Sequence, residues 1–201
     1  MTTLSVLKDS LIREGIVKIK NIDEEPFTLK SGKKSRLFID IKEASLNPII
    51  LNQIVDTIIV TGDAPAFFEI CFRSGISRKQ YNDEGIRIGS VAVGGIPIGT
   101  ALSLKTGIKH IIVRSEKHDT GTKSQILGDC KGKHVILIED VVTTGGSIIS
   151  AVNAIRDAGG ECNTCIVVVD REEGAFQNCK NNEIFLVSLL KKSDFGIIDK
   201  I

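Results

Sequence analysis

The sequence has few residues of the kinds that hold metals or build disulfide frameworks. Three histidines stand at positions 110, 118 and 134, with no metal-ligand spacing among them. Of five cysteines, Cys162 and Cys165 form a single C-x-x-C, which lacks the second pair or the histidines that a zinc site needs. Because both lie in or beside the apolar run 165–169, we expect reduced, buried side chains, with metal ligation as the alternative.

Strong charge and long apolar runs are also lacking. The net charge is +1, which gives no reason to expect broad binding to nucleic acid or to anionic membranes. No apolar run reaches membrane-spanning length, and acidic residues stand near the N-terminus where a signal peptide would be apolar. The sequence therefore predicts a cytoplasmic protein without a membrane partner.

Strand and helix patterns alternate along the 201 residues, of which 42% are hydrophobic. This alternation predicts an α/β domain with an open, mainly parallel sheet and helices on both faces. Helices are predicted over 3–14, 48–60, 100–105 and 148–157, and strands over 86–93, 110–113, 135–138, 165–169 and 183–190. We expect one domain, 1–201, with hood elements over about 1–45, an insertion over 61–85 and a flexible loop over 114–133.

The segment 134–148 has the most specific pattern in the chain. Val135–Ile138 is an apolar run typical of a strand buried on both faces, and we expect the strand to stop where Glu139 and Asp140 follow. Small and hydroxyl residues at 143–147 then lead into a helix. At a helix N-terminus, where N–H groups are unpaired and the dipole is positive, such a loop predicts an anion site.

The two carboxylates restrict which anion this loop can bind. A nucleotide-triphosphate loop would need a lysine, and 143–147 contains none. Glu139 and Asp140 would repel a phosphate but accept hydrogen bonds from a vicinal diol. The pattern therefore predicts a sugar phosphate, with its ribose hydroxyls on the acids and its phosphate on the loop. The alternative is an ordinary strand-to-helix turn with solvated acids.

Two acids followed by Val-Val-Thr-Thr-Gly-Gly-Ser resemble the signature of the type I phosphoribosyltransferases. A second pattern, over residues 27–40, is Phe-x-Leu-Lys-Ser-Gly-x-x-Ser followed by an aromatic residue and an acid. It is similar to the N-terminal hood of the orotate phosphoribosyltransferase family, although alone it would predict only a solvated basic hairpin with a turn at 31–34. The resemblance covers about residues 3–190, with a break at 61–85, and implies a type I phosphoribosyltransferase-like fold.

The resemblance also implies roles for residues in the hood and in the first glycine turn. Lys30 matches the lysine that meets pyrophosphate, and Phe38 matches an aromatic pair that stacks on the substrate. Only Phe38 of that pair is aromatic here, and Arg36 stands where the family often has proline, so we expect a thinned stacking platform. The turn at Gly94 and Gly95 matches the loop that touches pyrophosphate.

Residues 114–133 form a long, mostly polar connection between two predicted core strands, and such loops are usually functional. Glycosyl transfer from an activated sugar needs a site that excludes water and supplies cations, as a mobile basic flap does. The resemblance implies a catalytic loop that reaches across a dimer interface. Arg114 matches the arginine of the family's loop. His118 occupies the position of the family's main catalytic lysine, and Lys117 lies one residue earlier. Either these two share the role or the activity is altered, and His118 could also be a plain solvated residue.

Arg171 follows the predicted strand 165–169, at the end of the sheet where open α/β sheets bind ligands. The resemblance implies that it pairs with the carboxylate of orotate, which a planar guanidinium can hold with two hydrogen bonds. The alternative is a surface salt bridge with the neighbouring acids.

Taken together, the resemblance implies a homodimeric, Mg²⁺-dependent enzyme that transfers ribose 5-phosphate from phosphoribosyl pyrophosphate to orotate. The catalytic positions are Lys117, His118, Glu139 and Asp140. The positions expected to bind phosphoribosyl pyrophosphate are Lys30, Gly94, Gly95, Arg114, Glu139, Asp140, Val141, Val142, Thr143, Thr144, Gly145, Gly146 and Ser147. The positions expected to bind orotate are Phe38, Thr143 and Arg171.

No protein metal ligand is expected, because Mg²⁺ would sit mainly on ligand oxygens. Two other functions stay open. One is a phosphoribosyltransferase for a different base, and the other is a ligand-binding regulator without catalysis. Nothing in the sequence resembles a helix-turn-helix, which argues against DNA binding.

Overall fold

The computed structural model describes residues 3–21, 23–28, 32, 34–59, 85–114 and 125–196. The helices are α1 (Thr3–Arg13), α2 (Ile41–Ala44), α3 (Pro48–Ile59), α4 (Gly95–Thr106), α5 (Gly146–Asp157) and α6 (Ala175–Asn181). The strands are β1 (Val17–Ile19), β2 (Phe27–Thr28), β3 (Lys34–Ser35), β4 (Leu37–Ile39), β5 (Ile86–Val91), β6 (His110–Val113), β7 (Ile126–Leu127), β8 (His134–Val142), β9 (Glu161–Asp170) and β10 (Phe185–Lys191). A 3-10 helix (Lys192–Phe195) follows β10.

The main sheet confirms the predicted α/β architecture. Within the described residues its strand order is β10-β9-β8-β5-β6-β7, and all neighbours are parallel except β6 and β7. β8 lies between β9 and β5 and is buried along almost its whole length. Each helix in these residues is too short or too polar to span a lipid bilayer.

Side chains of β8 alternate between two hydrophobic cores because successive residues of a strand point to opposite faces. Ile136 and Ile138 pack in the core that includes residues of α1, α2, α3 and α4. Val135 and Leu137 pack in the core of α5 and α6. Helices on both faces, as predicted, therefore exclude water from β8 except near its ends.

The hood pairs its strands differently from the simple hairpin that residues 27–40 predict. β2 and β3 form a short antiparallel pair around the predicted turn. The second apolar run, Leu37–Ile39, instead pairs antiparallel with Val17–Ile19 of β1. The ring of Phe27 lies 5.7 Å from that of Phe38, centroid to centroid, and the expectation of a thinned stacking platform stays a prediction.

Several element bounds differ from the predicted ones. β8 does not stop at Glu139 but continues to Val142, because its pairing with β9 extends to Val142 opposite Asp170. α4 and α5 begin earlier than predicted, at Gly95 and Gly146, since glycines form their first turns. The shorter bounds of β5 and β10 follow from the turns beside them.

The predicted helices at 3–14 and 48–60 are confirmed, and Asn47 caps the second by accepting hydrogen bonds from the N–H groups of Ile49 and Ile50 at 3.0 and 3.4 Å. Cys162 and Cys165 are buried and free, as expected. Nearly all of the predicted insertion, and residues 115–124 of the predicted loop, lie outside the described residues.

Candidate functional site

Two adjacent carboxylates lie buried at the C-terminal end of β8. Glu139 is 5% exposed and Asp140 is 7% exposed, so neither is a solvated surface acid. The backbone N–H of Asp140 donates to Oε1 of Glu139 at 3.1 Å, and Oγ of Ser147 donates to Oε2 at 3.3 Å. Glu139 is thus held against the first turn of α5.

Burial raises the pKa of Glu139 well above its ordinary value, because the charged form is poorly solvated there. A hydrogen bond to the side chain of Asp140 and repulsion by its charge raise that pKa further, while the hydrogen bonds from the Asp140 amide and Ser147 lower it. Glu139 in the ligand-free protein therefore favours its protonated form, which reduces its repulsion of Asp140.

The turn between β5 and α4 packs directly against these acids. A methyl group on Gly94 would overlap the carboxylate of Asp140, and one on Gly95 would lie 2.5 Å from the carbonyl oxygen of Ile138. Gly94 has ordinary helical angles, φ −64° and ψ −34°, so space rather than backbone conformation requires glycine there. The structure thus brings the predicted glycine turn and the predicted acids together.

The loop between β8 and α5 leads directly into the first turn of a helix. Gly145 has a left-handed conformation, φ 88°, and precedes the first residue of α5. Helix geometry leaves the first-turn N–H groups without partners, and none of the described residues accepts a hydrogen bond from the amides of 144–147. These free donors and the positive end of the helix dipole suit a phosphate group.

Arg171 lies beside this loop, since its backbone N–H donates to the carbonyl of Val142 at 2.9 Å. Its side chain forms an ion pair with Glu173, with Nε to Oε1 at 3.1 Å. Both predicted features are therefore present: a place at the ligand-binding end of the sheet and a salt bridge with a neighbouring acid.

Arg114 begins the predicted flexible loop and lines a cavity of about 120 Å³. The other lining residues are Val91, Val113, Ser147, Ser150 and Ala151. The backbone N–H of Arg114 donates to the carbonyl of Gln125 at 2.9 Å, which joins the two described ends of the loop. The structure thus places Arg114 next to the first turn of α5.

Comparison with known proteins agrees with this geometry. A family model described as a phosphoribosyl transferase domain matches residues 69–192. The chain is 32% identical to the orotate phosphoribosyltransferase of Methanopyrus kandleri, over 94% of this chain and 92% of that protein. It is 40% identical to that of Methanocaldococcus jannaschii, over 82% and 83% of the two chains.

The chain belongs to the orotate phosphoribosyltransferase family. Its fold is similar to the crystal structure of orotate phosphoribosyltransferase from Aeropyrum pernix, with a TM-score of 0.73, 28% identity and 94% of each chain covered. This confirms the family and the fold that the sequence motifs implied.

The hood of this orotate phosphoribosyltransferase-family protein presents two aromatic rings. Phe38 is partly exposed, and Nζ of Lys18 lies 5.9 Å from the centre of its ring. Phe27 supplies the second ring from β2, eleven residues away in sequence. α2 follows Phe38 closely and packs against β8, so the hood adjoins the strand that bears the acids.

Some predicted site residues lie outside the described residues, namely Lys30, Lys117 and His118. Across the ranges the structure does describe, no three or more His, Cys, Asp or Glu side chains group together as metal ligands. Sequence reasoning did not single out Phe27 or Asn178 as site residues. Phe27 begins the hood motif, which was a weak signal for it. No local pattern indicated Asn178, because its hydrogen bond joins it to Thr144, 34 positions away.

The raised pKa of Glu139 predicts a pH-dependent stability. Glu139 has a pKa of about 4.3 in the unfolded chain and a raised pKa in the folded protein. At pH values between the two, the folded protein holds a proton on Glu139 that the unfolded chain has released. The contribution of Glu139 to stability therefore falls as pH rises, by at most about 1.4 kcal/mol per pH unit. Glu139→Gln should remove this pH dependence. The free energy of unfolding of the variant should therefore rise relative to that of the wild type between about pH 5 and pH 8.

The measurement is the free energy of unfolding in urea, for the ligand-free protein, across that pH range. Glu183→Gln, at an exposed position, is the control and should follow the wild type. Parallel curves for the wild type and Glu139→Gln would contradict the raised pKa.

Proposed function

We propose that the protein is an orotate phosphoribosyltransferase that joins ribose 5-phosphate from phosphoribosyl pyrophosphate to N1 of orotate. The products are orotidine 5′-phosphate and pyrophosphate, and the reaction belongs to pyrimidine biosynthesis. The observation that supports it most is the buried pair Glu139–Asp140, held between the Gly94–Gly95 turn and the loop at 143–147 in a chain of this family.

The reaction breaks the bond between C1 of the ribose and the pyrophosphate oxygen, and that oxygen leaves with the electron pair. N1 of orotate then forms the new bond to C1, and the proton that N1 loses passes to the departing pyrophosphate or to solvent. Positive charge builds on the sugar ring between these events, and a preorganised anion stabilises it best in a site with little water. Glu139 and Asp140 would bind the ribose diol and supply that negative charge.

The 5′-phosphate would bind the free amides and hydroxyls of 143–147. Gly94 and Gly95 would lie along the pyrophosphate, and cations from Lys30, Arg114, Lys117 and His118 would neutralise it as it leaves. The buried carboxylate of Asp140 offers oxygen donors of the kind that Mg²⁺ prefers, and this ion usually keeps waters and substrate oxygens as its other ligands. Asp140 would help to hold Mg²⁺ together with ligand oxygens, and the ion would supply further positive charge for the departing pyrophosphate.

Orotate would bind with its ring against Phe38 and Phe27, near Thr143, and with its carboxylate on Arg171. Because the guanidinium contacts Glu173 in the ligand-free protein, substrate binding would replace one carboxylate partner by another. The Phe27 ring, 5.7 Å from that of Phe38, supports orotate over a different base, because it adds a second aromatic residue to the hood.

The remaining assignments are proposals of the same kind. They are one domain over 1–201 with a hood at about 1–45, an insertion at 61–85, a catalytic loop at 114–133 and a homodimer that shares this loop across its interface. A cytoplasmic location stays a prediction.

The direct test is orotate-dependent release of pyrophosphate from phosphoribosyl pyrophosphate with Mg²⁺. Asp140→Asn should lower kcat by about 100-fold or more, since one preorganised charge commonly contributes that much. Lys117→Ala should lower kcat while leaving orotate binding intact. Asp157→Asn, at the exposed far end of α5, serves as the control. Turnover of another base but not orotate, or ligand binding without turnover, would reject the assignment in favour of one of the two alternatives.

Two neighbouring glycines give a second test. Gly94→Ala should push the Asp140 carboxylate aside, so kcat/KM should fall at least about tenfold with little change in Tm. Gly95→Ala collides with backbone that cannot rotate away, so it should mainly lower Tm. Kinetics and thermal unfolding of both variants are the measurements. Full activity in Gly94→Ala would show that the position of Asp140 is not critical.

A third test separates the two interpretations of Arg171. Arg171→Gln should raise the KM for orotate by about 10- to 100-fold, the effect of losing a charged hydrogen bond, and leave the KM for phosphoribosyl pyrophosphate unchanged. Glu173→Gln should not raise the KM for orotate, because it removes only the competing carboxylate. If both variants behave as wild type, Arg171 is a surface ion pair.

A further inference from the structure

The loop at 143–147, here called the phosphate loop, and the end of β8 before it bond to one neighbouring segment, residues 171–178. Three consecutive carbonyl oxygens, at 142–144, accept these hydrogen bonds. The N–H of Arg171 donates to Val142 at 2.9 Å, and the N–H of Ala175 donates to Thr143 at 3.2 Å. The third bond comes from a side chain, since Nδ2 of Asn178 donates to the carbonyl of Thr144 at 2.8 Å. Hydrogen bonds from α6 and from the residue that follows β9 therefore hold the backbone at 142–144.

Packing brings α6 against the loop backbone at the same place. A methyl group on Gly145 would lie 3.3 Å from Sγ of Cys179 and 3.6 Å from Cα of Ala175. The absence of a side chain on Gly145 allows this approach. Asn178 itself is exposed, so its amide adds a specific bond to the contact and little buried area.

Because the peptide unit is planar, hydrogen bonds to the loop carbonyls also fix the direction of the loop N–H groups. In a planar trans peptide the C=O of one residue and the N–H of the next point in opposite directions. Holding the oxygens of Thr143 and Thr144 toward α6 therefore turns the N–H groups of Thr144 and Gly145 away from it. These are two of the donors assigned above to the 5′-phosphate.

We propose that Asn178 is a positioning residue for the 5′-phosphate, acting through the Thr144–Gly145 peptide. The inference rests on the proposed function for the identity of the phosphate, but the hydrogen bond itself does not depend on the base or on pyrophosphate. Asn178 does not touch the substrate. It fixes the direction of an amide that does.

The experiment compares Asn178→Ala, Asn178→Asp and Asn178→Gln with the wild type. Asn178→Ala should raise the KM for phosphoribosyl pyrophosphate by about three- to tenfold, the effect of one neutral hydrogen bond. Asn178→Asp should raise it more, because a carboxylate repels both the Thr144 carbonyl and the phosphate. Asn178→Gln keeps an amide donor and should recover much of the loss. The KM for orotate and Tm should stay within error of the wild type.

Calorimetric titration with ribose 5-phosphate provides a readout that needs no turnover, and affinities should follow the same order. Gln177→Ala is the matched control, because it removes a 2.8 Å hydrogen bond to Asn181 on the same helix without touching the loop. The proposal is overturned if Asn178→Ala and Asn178→Asp bind ribose 5-phosphate within twofold of the wild type. It is also overturned if both KM values and Tm change together, or if the wild type does not bind ribose 5-phosphate.

Failure of the proposed function would look different. A wild type that binds ribose 5-phosphate but does not turn over orotate would reject the reaction, while the order of affinities among the Asn178 variants would still decide the role of Asn178.

Discussion

Burial of two adjacent carboxylates at the end of the central strand is the constraint to which the rest of the site is fitted. Two charged acids at such a position would repel each other with little water to screen them. Desolvation therefore raises the pKa of Glu139 and favours its protonated form, which lowers the repulsion between the two acids. A ligand that brings hydroxyl donors and developing positive charge suits this arrangement, whereas a bare phosphate at the same spot would not.

Strand alternation lets each acid meet a different helix. Glu139 faces the α5 side, where Ser147 donates to it, and Asp140 faces the α4 side, where Gly94 leaves room for its carboxylate. Consecutive residues of one strand thus join the glycine turn on one face of the sheet to the phosphate loop on the other. This explains why two acids occur in succession and why the strand must run through them. A strand that stopped at Ile138 would not fix these directions.

Residues 171–178 connect the proposed base site to the proposed phosphate site. Arg171 stands at one end of this segment and Asn178 at the other. The backbone N–H of Arg171 donates to the carbonyl of Val142, and the side chain of Asn178 donates to that of Thr144. The two substrates of the proposed reaction would therefore meet on a rigid backbone frame and not on independent loops. Such a frame suits a reaction in which N1 of orotate must reach C1 of the ribose at a short, defined distance.

Sequence by itself determined the alternating architecture, the buried free cysteines, the capped helix at Pro48 and the family, because these depend on local periodicity, local caps and a contiguous motif. It also placed the acids, the glycine turn and Arg171 at the same edge of the sheet. Only the tertiary structure decided that β8 continues through the acids, that the ring of Phe27 lies beside that of Phe38 and that Asn178 binds Thr144. Each of these depends on contacts between residues far apart in the chain, which no local pattern encodes.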